Sequence, residues 1–420
     1  NGLMSLQIRQ AVENKNDEAM AASYNDLGLV YSQTDVDKAL ESYEKALAIY
    51  EELHGNDHPK IAIANTNIGL MYLKLKLYGD AVNNFESALV IWQKVYPNGH
   101  PSQALVLQNL GRTYMQMGDQ TVAQDYFEKA LAVYQRSYGA KHPDIAFVLN
   151  QLGNLRLGNN NYREALENFQ EAIIANSPTF NNKDITTNPY ISDFYNGKVL
   201  LYSLRSKAKA LEAQHFGKTL KFEDLKSALN CLYSSDTLID NIRHHSSDEN
   251  DKLELGGSAG EVYEDGVRIA YAMSEMSIDY KHYREVAFYF AEKSKSAVLQ
   301  ESIADASAKS FAGIPDNLIE EEKRLKSTIA FLIQKLSQKP SPEEEKYLRE
   351  TLFNLNQEYN SFIKKLESDY PNYFNLKFNQ SSPTIKGLQQ LLDNKTSIIS
   401  YFIADNDKRL YQFIITQKRF

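Results

Sequence analysis

The chain has few side chains whose type could carry covalent chemistry: one cysteine and eight histidines among 420 residues. A thiol becomes a nucleophile when a neighbouring histidine takes its proton, so Cys231 with a histidine is the candidate dyad of a hydrolase. No local sequence signature supports such a pair. A single cysteine also excludes an internal disulfide and a cysteine-based metal site. We therefore predict that Cys231 is a small buried residue on a helix.

Two short segments have the composition of ligand sites. His244-His245 lies beside Asp248 and Glu249, residue types that bind metals. Residues 256–260 are rich in glycine but lack the lysine and the preceding strand of a phosphate-binding loop. We predict an exposed helix end followed by a polar loop for the first segment, and a loop that interrupts a helix for the second. The sequence thus predicts no catalytic residue, no metal and no cofactor.

A repeat is the strongest feature of the sequence. His-Pro dipeptides begin at His58, His100 and His142, at intervals of 42 residues. Other positions keep the same register. These are glycines (Gly28, Gly69, Gly111, Gly153), alanines (Ala81, Ala123, Ala165), aromatics (Phe85, Phe127, Phe169) and second alanines (Ala88, Ala130, Ala172). The first repeat has Ala39, Tyr43 and Ala46, which come one residue early relative to Gly28 because the first two glycines are 41 residues apart. This agreement predicts a repeat architecture.

The spacing within each repeat predicts two closely packed helices. Small residues three or four positions from aromatics place small and large groups on one helical face. The aromatic of one helix can then fill the space beside the small residue of the other. Pro59, Pro101 and Pro143 fit the first turn of a helix, where a missing N–H costs little. The three His-Pro histidines are therefore interpreted as structural.

The Gly…Tyr…Ala…aromatic…Ala register resembles that of tetratricopeptide repeats (TPRs). The 42-residue period and the His-Pro start are similar to the kinesin-light-chain type. The resemblance implies four repeats in residues 1–178 and an all-α fold, a right-handed TPR superhelix. Helical patterning continues at 194–215, 222–243, 253–279 and 283–303, where Tyr283, Val286 and Phe290 echo the second helix of a repeat. We predict degenerate TPR-like pairs over 179–310.

A heptad pattern follows. Steps of four and three alternate at Leu318, Glu322, Leu325, Ile329, Leu332 and Leu336, and again at Leu348, Leu352, Leu355, Tyr359, Phe362 and Leu366. All of these positions except Glu322 are hydrophobic or aromatic. Such a pattern is typical of coiled coils. The short connection, in which Ser341 and Glu344 form a capping box, requires antiparallel packing. We predict an antiparallel helical hairpin over 311–372.

The last residues read as a β-hairpin, Ser397 to Ile403 and Leu410 to Thr416 around a turn-like Ala404–Asp407. These strands, with Tyr370–Tyr373 and Leu391–Asp393, resemble the opening of the caspase-like CHAT domain of bacterial TPR-CHAT proteins. The segment 287–296 resembles the last degenerate repeat of such proteins. The resemblance implies that 373–420 begins a truncated CHAT-like α/β domain. The histidine and cysteine on which that family's protease activity depends do not lie in these strands.

In TPR proteins the first helix of each pair lines the concave groove. Counting from each glycine, amide side chains could pair with an extended peptide backbone, and interleaved Leu and Met could add apolar pockets. The candidate groove residues are Asn25, Thr66, Leu70, Lys74, Gln108, Arg112, Met115, Asn150 and Asn154. An alternative is a purely structural solenoid whose groove is filled by the protein's own helices.

Charge and hydropathy limit the kinds of partner. A net charge of −8 argues against nucleic acid, which needs a basic face. No stretch has the roughly 18–20 apolar residues that span a bilayer, so no membrane partner is predicted. The expected partner is a protein or peptide bound to a scaffold that is not itself an enzyme. A cytoplasmic location is favoured, while the start at Asn1 leaves open a trimmed leader and a secreted or periplasmic protein.

Overall fold

A computed structural model describes residues 18–245, 249–306, 315–337, 342–371, 383–406 and 408–420. Contacts divide the chain into two compact units, Asn1–Leu155 and Arg156–Phe420. The described residues are mostly helical, with one antiparallel pair of strands. Within them, no helix combines the length and apolar character needed to cross a bilayer.

The first unit is built from helix pairs joined by short turns. Its helices are α1 (Glu18–Tyr31), α2 (Val36–His54), α3 (Pro59–Lys74), α4 (Tyr78–Val95), α5 (Pro101–Met117), α6 (Gln120–Tyr138) and most of α7 (Pro143–Gly158). Pro59, Pro101 and Pro143 each begin a helix, which confirms the sequence prediction. Gly118 takes the left-handed conformation after α5 and Asp119 caps α6, so this two-residue turn stops one helix and starts the next.

Each pair of the first unit is held by a glycine beneath an aromatic ring. A Cβ on Gly28 would lie 2.6 Å from Tyr43, one on Gly69 2.7 Å from Phe85, and one on Gly111 2.8 Å from Phe127. The aromatic side chains are almost fully buried. No residue other than glycine lets the ring approach the backbone this closely, which explains why glycine and the aromatic recur together.

The repeated His-Pro segment forms a corner between pairs. His58, His100 and His142 precede α3, α5 and α7, and the Nδ1 atom of each accepts a hydrogen bond from the backbone N–H two residues later, at 3.3, 3.1 and 3.2 Å. Each imidazole also stacks on an aromatic ring four residues before it. The centroid distances are 4.0 Å for His54–His58, 4.5 Å for Tyr96–His100 and 3.8 Å for Tyr138–His142. The histidine is thus a helix cap as well as a packing group.

The second unit contains the predicted helices. They are α8 (Tyr162–Ala175), α9 (Gly197–Gln214), α10 (Phe222–His245), α11 (Glu249–Met276) and α12 (Tyr280–Ala306). Loop 176–196 packs on their core through Phe180, Ile185 and Ile191. A Cβ on Gly266 of α11 would lie 2.5 Å from Phe290 of α12, so this pair has the same glycine–aromatic contact as the first unit.

The prediction of a helix-interrupting loop at 256–260 is wrong. This glycine-rich segment lies inside α11, which runs unbroken from Glu249 to Met276. Each glycine costs about 1 kcal/mol of helix propensity relative to alanine. The cost is offset by tertiary packing, because Leu255, Ala259 and Tyr263 on one face of the helix are buried in the core.

Two further helices form the predicted hairpin, α13 (Asp316–Ser337) and α14 (Pro342–Asp369). Leu325, Ile329, Leu332, Leu348, Leu355 and Tyr359 form its buried seam. The Arg324–Glu358 ion pair, at 2.8 Å, and the packing of Leu318 on Leu366 show that the two helices run antiparallel. Glu322 lies in the seam, nine-tenths buried, and pairs with Lys326 at 2.9 Å. Ser341 of the predicted capping box lies outside the described residues.

After the short helix α15 (Ile385–Leu391), strands β1 (Ser397–Ala404) and β2 (Arg409–Thr416) pair antiparallel, as predicted. Opposite residues include Ile399 with Ile414 and Ile403 with Leu410. Side chains alternate between two faces, and the inner face joins the core of α11 and α12. That inner face consists of Phe402, Ala404, Tyr411, Phe413 and Ile415.

The glycine–aromatic contact predicts opposite effects for two glycine-to-alanine changes. Gly111→Ala should lower the free energy of unfolding by about 1–2 kcal/mol, because overpacking against Phe127 outweighs the gain in helix propensity. Gly79→Ala is the matched control, since nothing lies within 4 Å of its Cβ position in α4. It should be neutral or stabilising by up to about 1 kcal/mol. Urea denaturation monitored by circular dichroism measures the free energy of unfolding of both variants. Equal effects would contradict the packing role.

The cap made by His58 predicts acid sensitivity. Burial, with the neighbouring charges of His54 and Lys60, lowers the pKa of His58 below its usual value, and a protonated ring cannot accept the Lys60 N–H. Stability from this group is full above the unfolded-state pKa of about 6.5 and is lost as the pH falls through the lower folded-state pKa. The loss should be about 1 kcal/mol, the typical contribution of one N-cap.

His58→Asn keeps a capping acceptor that does not titrate. Thermal unfolding between pH 7.5 and 5 should therefore show a flatter stability profile for His58→Asn than for the wild type. His282→Asn, a change at an exposed histidine of α12, should leave the profile unaltered. A wild-type slope retained in His58→Asn would show that another group titrates.

Candidate functional site

The nine predicted groove residues all lie on first helices of the repeat pairs, within the first unit. Asn25 is on α1, and Thr66, Leu70 and Lys74 are on α3. The others are Gln108, Arg112 and Met115 on α5, and Asn150 and Asn154 on α7. Lys74 is exposed. Asn25, Leu70, Arg112, Met115 and Asn154 are half-buried.

Residues at positions i, i+3 and i+7 of each first helix share one face, which we call the first-helix face. It comprises Ala22, Asn25 and Leu29 of α1, Ile63, Thr66 and Leu70 of α3, Leu105, Gln108 and Arg112 of α5, and Phe147, Asn150 and Asn154 of α7. Leu29, Ile63 and Leu105 are 61%, 43% and 42% exposed. Ile63 and Leu105 were not among the predicted residues, although their 42-residue separation marks them as equivalents.

Three of the predicted polar residues are buried within the stack. Thr66 donates its hydroxyl to the Ala62 carbonyl of its own helix at 2.6 Å. Gln108 and Asn150 are 8% and 1% exposed. A partner can reach these side chains only if neighbouring groups move. The accessible part of the first-helix face is therefore more apolar than the sequence pattern alone indicates.

Polar contacts connect neighbouring repeats beside this face. Asn67 donates to the Asn25 side-chain oxygen at 3.0 Å, and Lys74 donates to the Ser32 carbonyl at 2.7 Å. Asn25, Asn67, Asn109 and Gln151 stand at uniform intervals of 42 residues. Counting from the glycines missed this row, because the first repeat is one residue shorter than the others. The uninterrupted 42-residue interval would have identified it.

Arg112 is a half-buried charged residue on the first-helix face. Its guanidinium is largely enclosed, and this burial lowers the pKa of Arg112 below its usual value. Among the described residues, its one side-chain hydrogen bond is donated to the Asn109 side-chain oxygen, at a long distance of 3.4 Å. No carboxylate of the described residues pairs with it. A partly desolvated cation of this kind gains most from an incoming carboxylate.

The candidate dyad does not assemble among the described residues. Cys231 is buried, its Sγ lies 3.5 Å from the Asn188 side-chain oxygen, and no histidine of that part of the chain hydrogen-bonds to it. Burial raises the pKa of the Cys231 thiol, which keeps it protonated and weakly nucleophilic. The small, buried helical residue predicted from the sequence is confirmed.

The possible metal-binding segment lies largely outside the described residues. The backbone of His244-His245 ends α10, and Asp248 and the side chains of His244, His245 and Glu249 are not described. Elsewhere in the described ranges, no group of three or more His, Cys, Asp or Glu side chains is placed to hold a metal ion.

Comparisons with known proteins agree with the repeat register. The sequence profile of the family Tetratricopeptide repeat matches residues 3–52, 33–94, 60–136 and 102–173. No curated protein matches the sequence.

Many solved structures are similar to this chain, among them the following three. BtubC (BKLC) from P. vanneervenii is 18% identical, with a TM-score of 0.46 over 56% of this chain and 87% of that one. A putative kinesin light chain of Podosopora anserina with nearly identical TPR-like repeats is 19% identical, with a TM-score of 0.41 over 53% and 96%. The Rap conjugation gene regulator of plasmid pLS20, in complex with the Phr* peptide, is 16% identical, with a TM-score of 0.37 over 70% and 80%.

The family match covers the same residues as the glycine, aromatic and His-Pro pattern. Three helix pairs of that range have the glycine–aromatic contact, at Gly28, Gly69 and Gly111. The chain therefore contains a run of tetratricopeptide repeats over residues 3–173.

Proposed function

We propose that the chain is a protein-interaction scaffold whose first-helix face binds an extended, acidic peptide segment of a partner protein. The observation that carries this proposal is Arg112, a half-buried cation with no carboxylate partner among the described residues. An Asp or Glu of the partner would supply the missing charge. The guanidinium can hold both carboxylate oxygens at once, which gives direction as well as affinity.

Apolar and amide groups on either side of Arg112 support the same reading. Leu105 lies two turns before it on the same face, and Met115 is three residues after it on the same helix. Leu29, Ile63 and Leu70 extend the apolar row over α1 and α3. Apolar residues of a peptide would bury against this row, while Asn154 could pair with its backbone. The predicted groove residues thus fall into two classes. Thr66, Gln108 and Asn150 are buried, and the other six are accessible to a partner.

Arg112→Gln tests the proposal. Peptides selected from a random twelve-residue display library on the full chain should be enriched in Asp and Glu. Their affinity should fall about 10- to 100-fold in Arg112→Gln, as expected for the loss of a charge-assisted hydrogen bond worth about 1.5–3 kcal/mol. Fluorescence anisotropy measures the dissociation constants.

Arg136→Gln is the matched control, because Arg136 is an exposed arginine on α6, a second helix. Its affinity for the selected peptides should be unchanged. Equal losses in both variants would indicate non-specific electrostatics. Failure to select any peptide would instead favour the structural alternative, which the burial of Thr66, Gln108 and Asn150 supports.

We further propose that this scaffold is the recognition region of a larger CHAT-type protease. The supporting observation is the β-hairpin that packs on α11 and α12 and follows the helical hairpin in the order that the resemblance implies. Reading the gene beyond the codon for Phe420 tests this proposal. A histidine and a cysteine in caspase-like order downstream would support it, and a stop codon within a few residues would refute it.

A further inference from the structure

Loop 176–196 joins α8 to α9 without a helix or strand of its own, and its two ends are tied together. Connections of this length are uncommon in compact domains, and many of them are functional loops such as lids. The Asn176 side chain donates to the Asn196 carbonyl at 2.8 Å and accepts the Asn196 N–H at 3.1 Å. The Tyr195 N–H donates to the Asn176 carbonyl at 2.8 Å. We call these three residues the clasp.

The middle of the loop, residues 182–188, makes a separate set of contacts, and we call it the tip. Its Asn188 side chain lies against α10, where it donates to the Ser234 hydroxyl at 3.1 Å and accepts the Cys231 thiol at 3.5 Å. Four of the seven tip side chains are exposed, whereas Cys231 is buried. The tip is therefore a surface segment that covers the thiol.

A buried amine holds the tip to two further helices. The side chain of Lys207 on α9 is fully buried, and its Nζ donates to the Thr187 carbonyl of the tip at 2.7 Å and to the Gln170 side-chain oxygen of α8 at 2.8 Å. Both acceptors are uncharged, and no carboxylate of the described residues pairs with this amine. A neutral amine has two N–H donors and an ammonium group has three. Two acceptors therefore match the neutral amine, whereas an ammonium would bury a charge and leave one donor without an acceptor.

The other groups around the Lys207 amine keep one charge state near neutral pH. Burial lowers the pKa of Lys207 below its usual value, and the titratable groups that act on it are Cys231 of α10 and Asp184 of the tip. Burial raises the pKa of the Cys231 thiol, while hydrogen bonds from Thr186 lower the pKa of the Asp184 carboxyl. Gln170, the contact from α8, does not titrate. Lys207 is thus the group of this cluster that responds to protons.

We propose that the tip is a proton-sensitive lid, which opens on the clasp as a local unit and is latched by the uncharged amine of Lys207. Opening brings the amine into water, where it binds a proton as an ordinary lysine does. A fall in pH therefore favours the open lid, and a rise in pH favours the closed one. The open lid uncovers the Cys231 thiol and frees the apolar side chain of Ile185, which packs on the core when the lid is closed. This device does not depend on peptide binding at Arg112.

Cys231 reports opening directly, because it is the only cysteine of the chain. Above the lowered pKa of the closed state and below the ordinary lysine value of about 10.4, opening takes up one proton, so the open population falls about tenfold for each pH unit. Reaction with an aromatic disulfide reagent requires the thiolate, whose fraction rises about tenfold for each unit below about pH 8.5. The two slopes cancel. The labelling rate of the wild-type chain, followed by absorbance, should therefore stay nearly constant from pH 6.5 to 8.

Lys207→Met removes the titrating amine and keeps the length of the side chain. Its labelling rate should rise about 25-fold over the same pH range, as the thiolate fraction does. Lys209→Met is the matched control, because Lys209 is a half-buried lysine of the same helix, and it should keep the flat profile of the wild type. The flat wild-type profile is itself an expected result, so the test does not depend on the folding of Lys207→Met.

The effect of urea separates lid opening from global unfolding. A local opening exposes little surface, so the wild-type labelling rate at pH 7 should change less than about twofold between 0 and 1 M urea. A steep rise with urea would show that only global unfolding exposes the thiol, and it would overturn the proposal. So would a native chain that does not react, or a wild-type rate that rises with pH as steeply as that of Lys207→Met.

Discussion

The close approach of an aromatic ring to a glycine backbone is the contact on which the helix pairs depend. Gly28, Gly69 and Gly111 leave no room for a methyl group beneath Tyr43, Phe85 and Phe127. This distance sets how near the two helices of a pair lie and how they are rotated about their axes. The rotation in turn decides which side chains of the first helix face outward. Leu29, Leu70 and Arg112 each directly follow one of these glycines, about 100° further around the helix. Their outward orientation is thus a consequence of the buried contact beside them.

The corners between pairs transmit this arrangement from one repeat to the next. Each His-Pro segment fixes where the next first helix begins, because the proline starts the helix and the imidazole accepts an N–H in its first turn. Stacking of the imidazole on a ring from the preceding helix ties that start to the previous pair. Because each first helix begins at an equivalent residue, positions 42 residues apart lie at equivalent places on the first-helix face.

Much of this could be predicted from the sequence, because the repeats expose their own register. Helix starts at Pro59, Pro101 and Pro143, the antiparallel hairpin of α13 and α14 and the strands β1 and β2 follow from local patterns. The helical conformation of the glycine-rich segment 256–260 could not be predicted, because tertiary burial of Leu255 and Ala259 overrides its low helix propensity. The burial of Thr66, Gln108 and Asn150 could not be predicted either, because periodicity identifies a helical face but does not show how deeply neighbouring repeats cover it. Gly266 and Phe290 form the same contact as the repeats at a different spacing, so a fixed-period search could not find them.

The second unit shows how buried polar groups replace the repeat register where it fades. The Lys207 amine is fully buried, donates to the Gln170 side chain at 2.8 Å and to the Thr187 carbonyl at 2.7 Å, and so holds loop 176–196 against α8 and α9. Burial lowers the pKa of Lys207, so its hydrogen bonds must offset a real desolvation cost. Glu264 beneath the β-hairpin is likewise buried and hydrogen-bonded, in its case to Asn406. A two-stranded sheet is marginally stable by itself. Here the Glu264–Asn406 hydrogen bonds and the buried inner face hold it against α11 and α12.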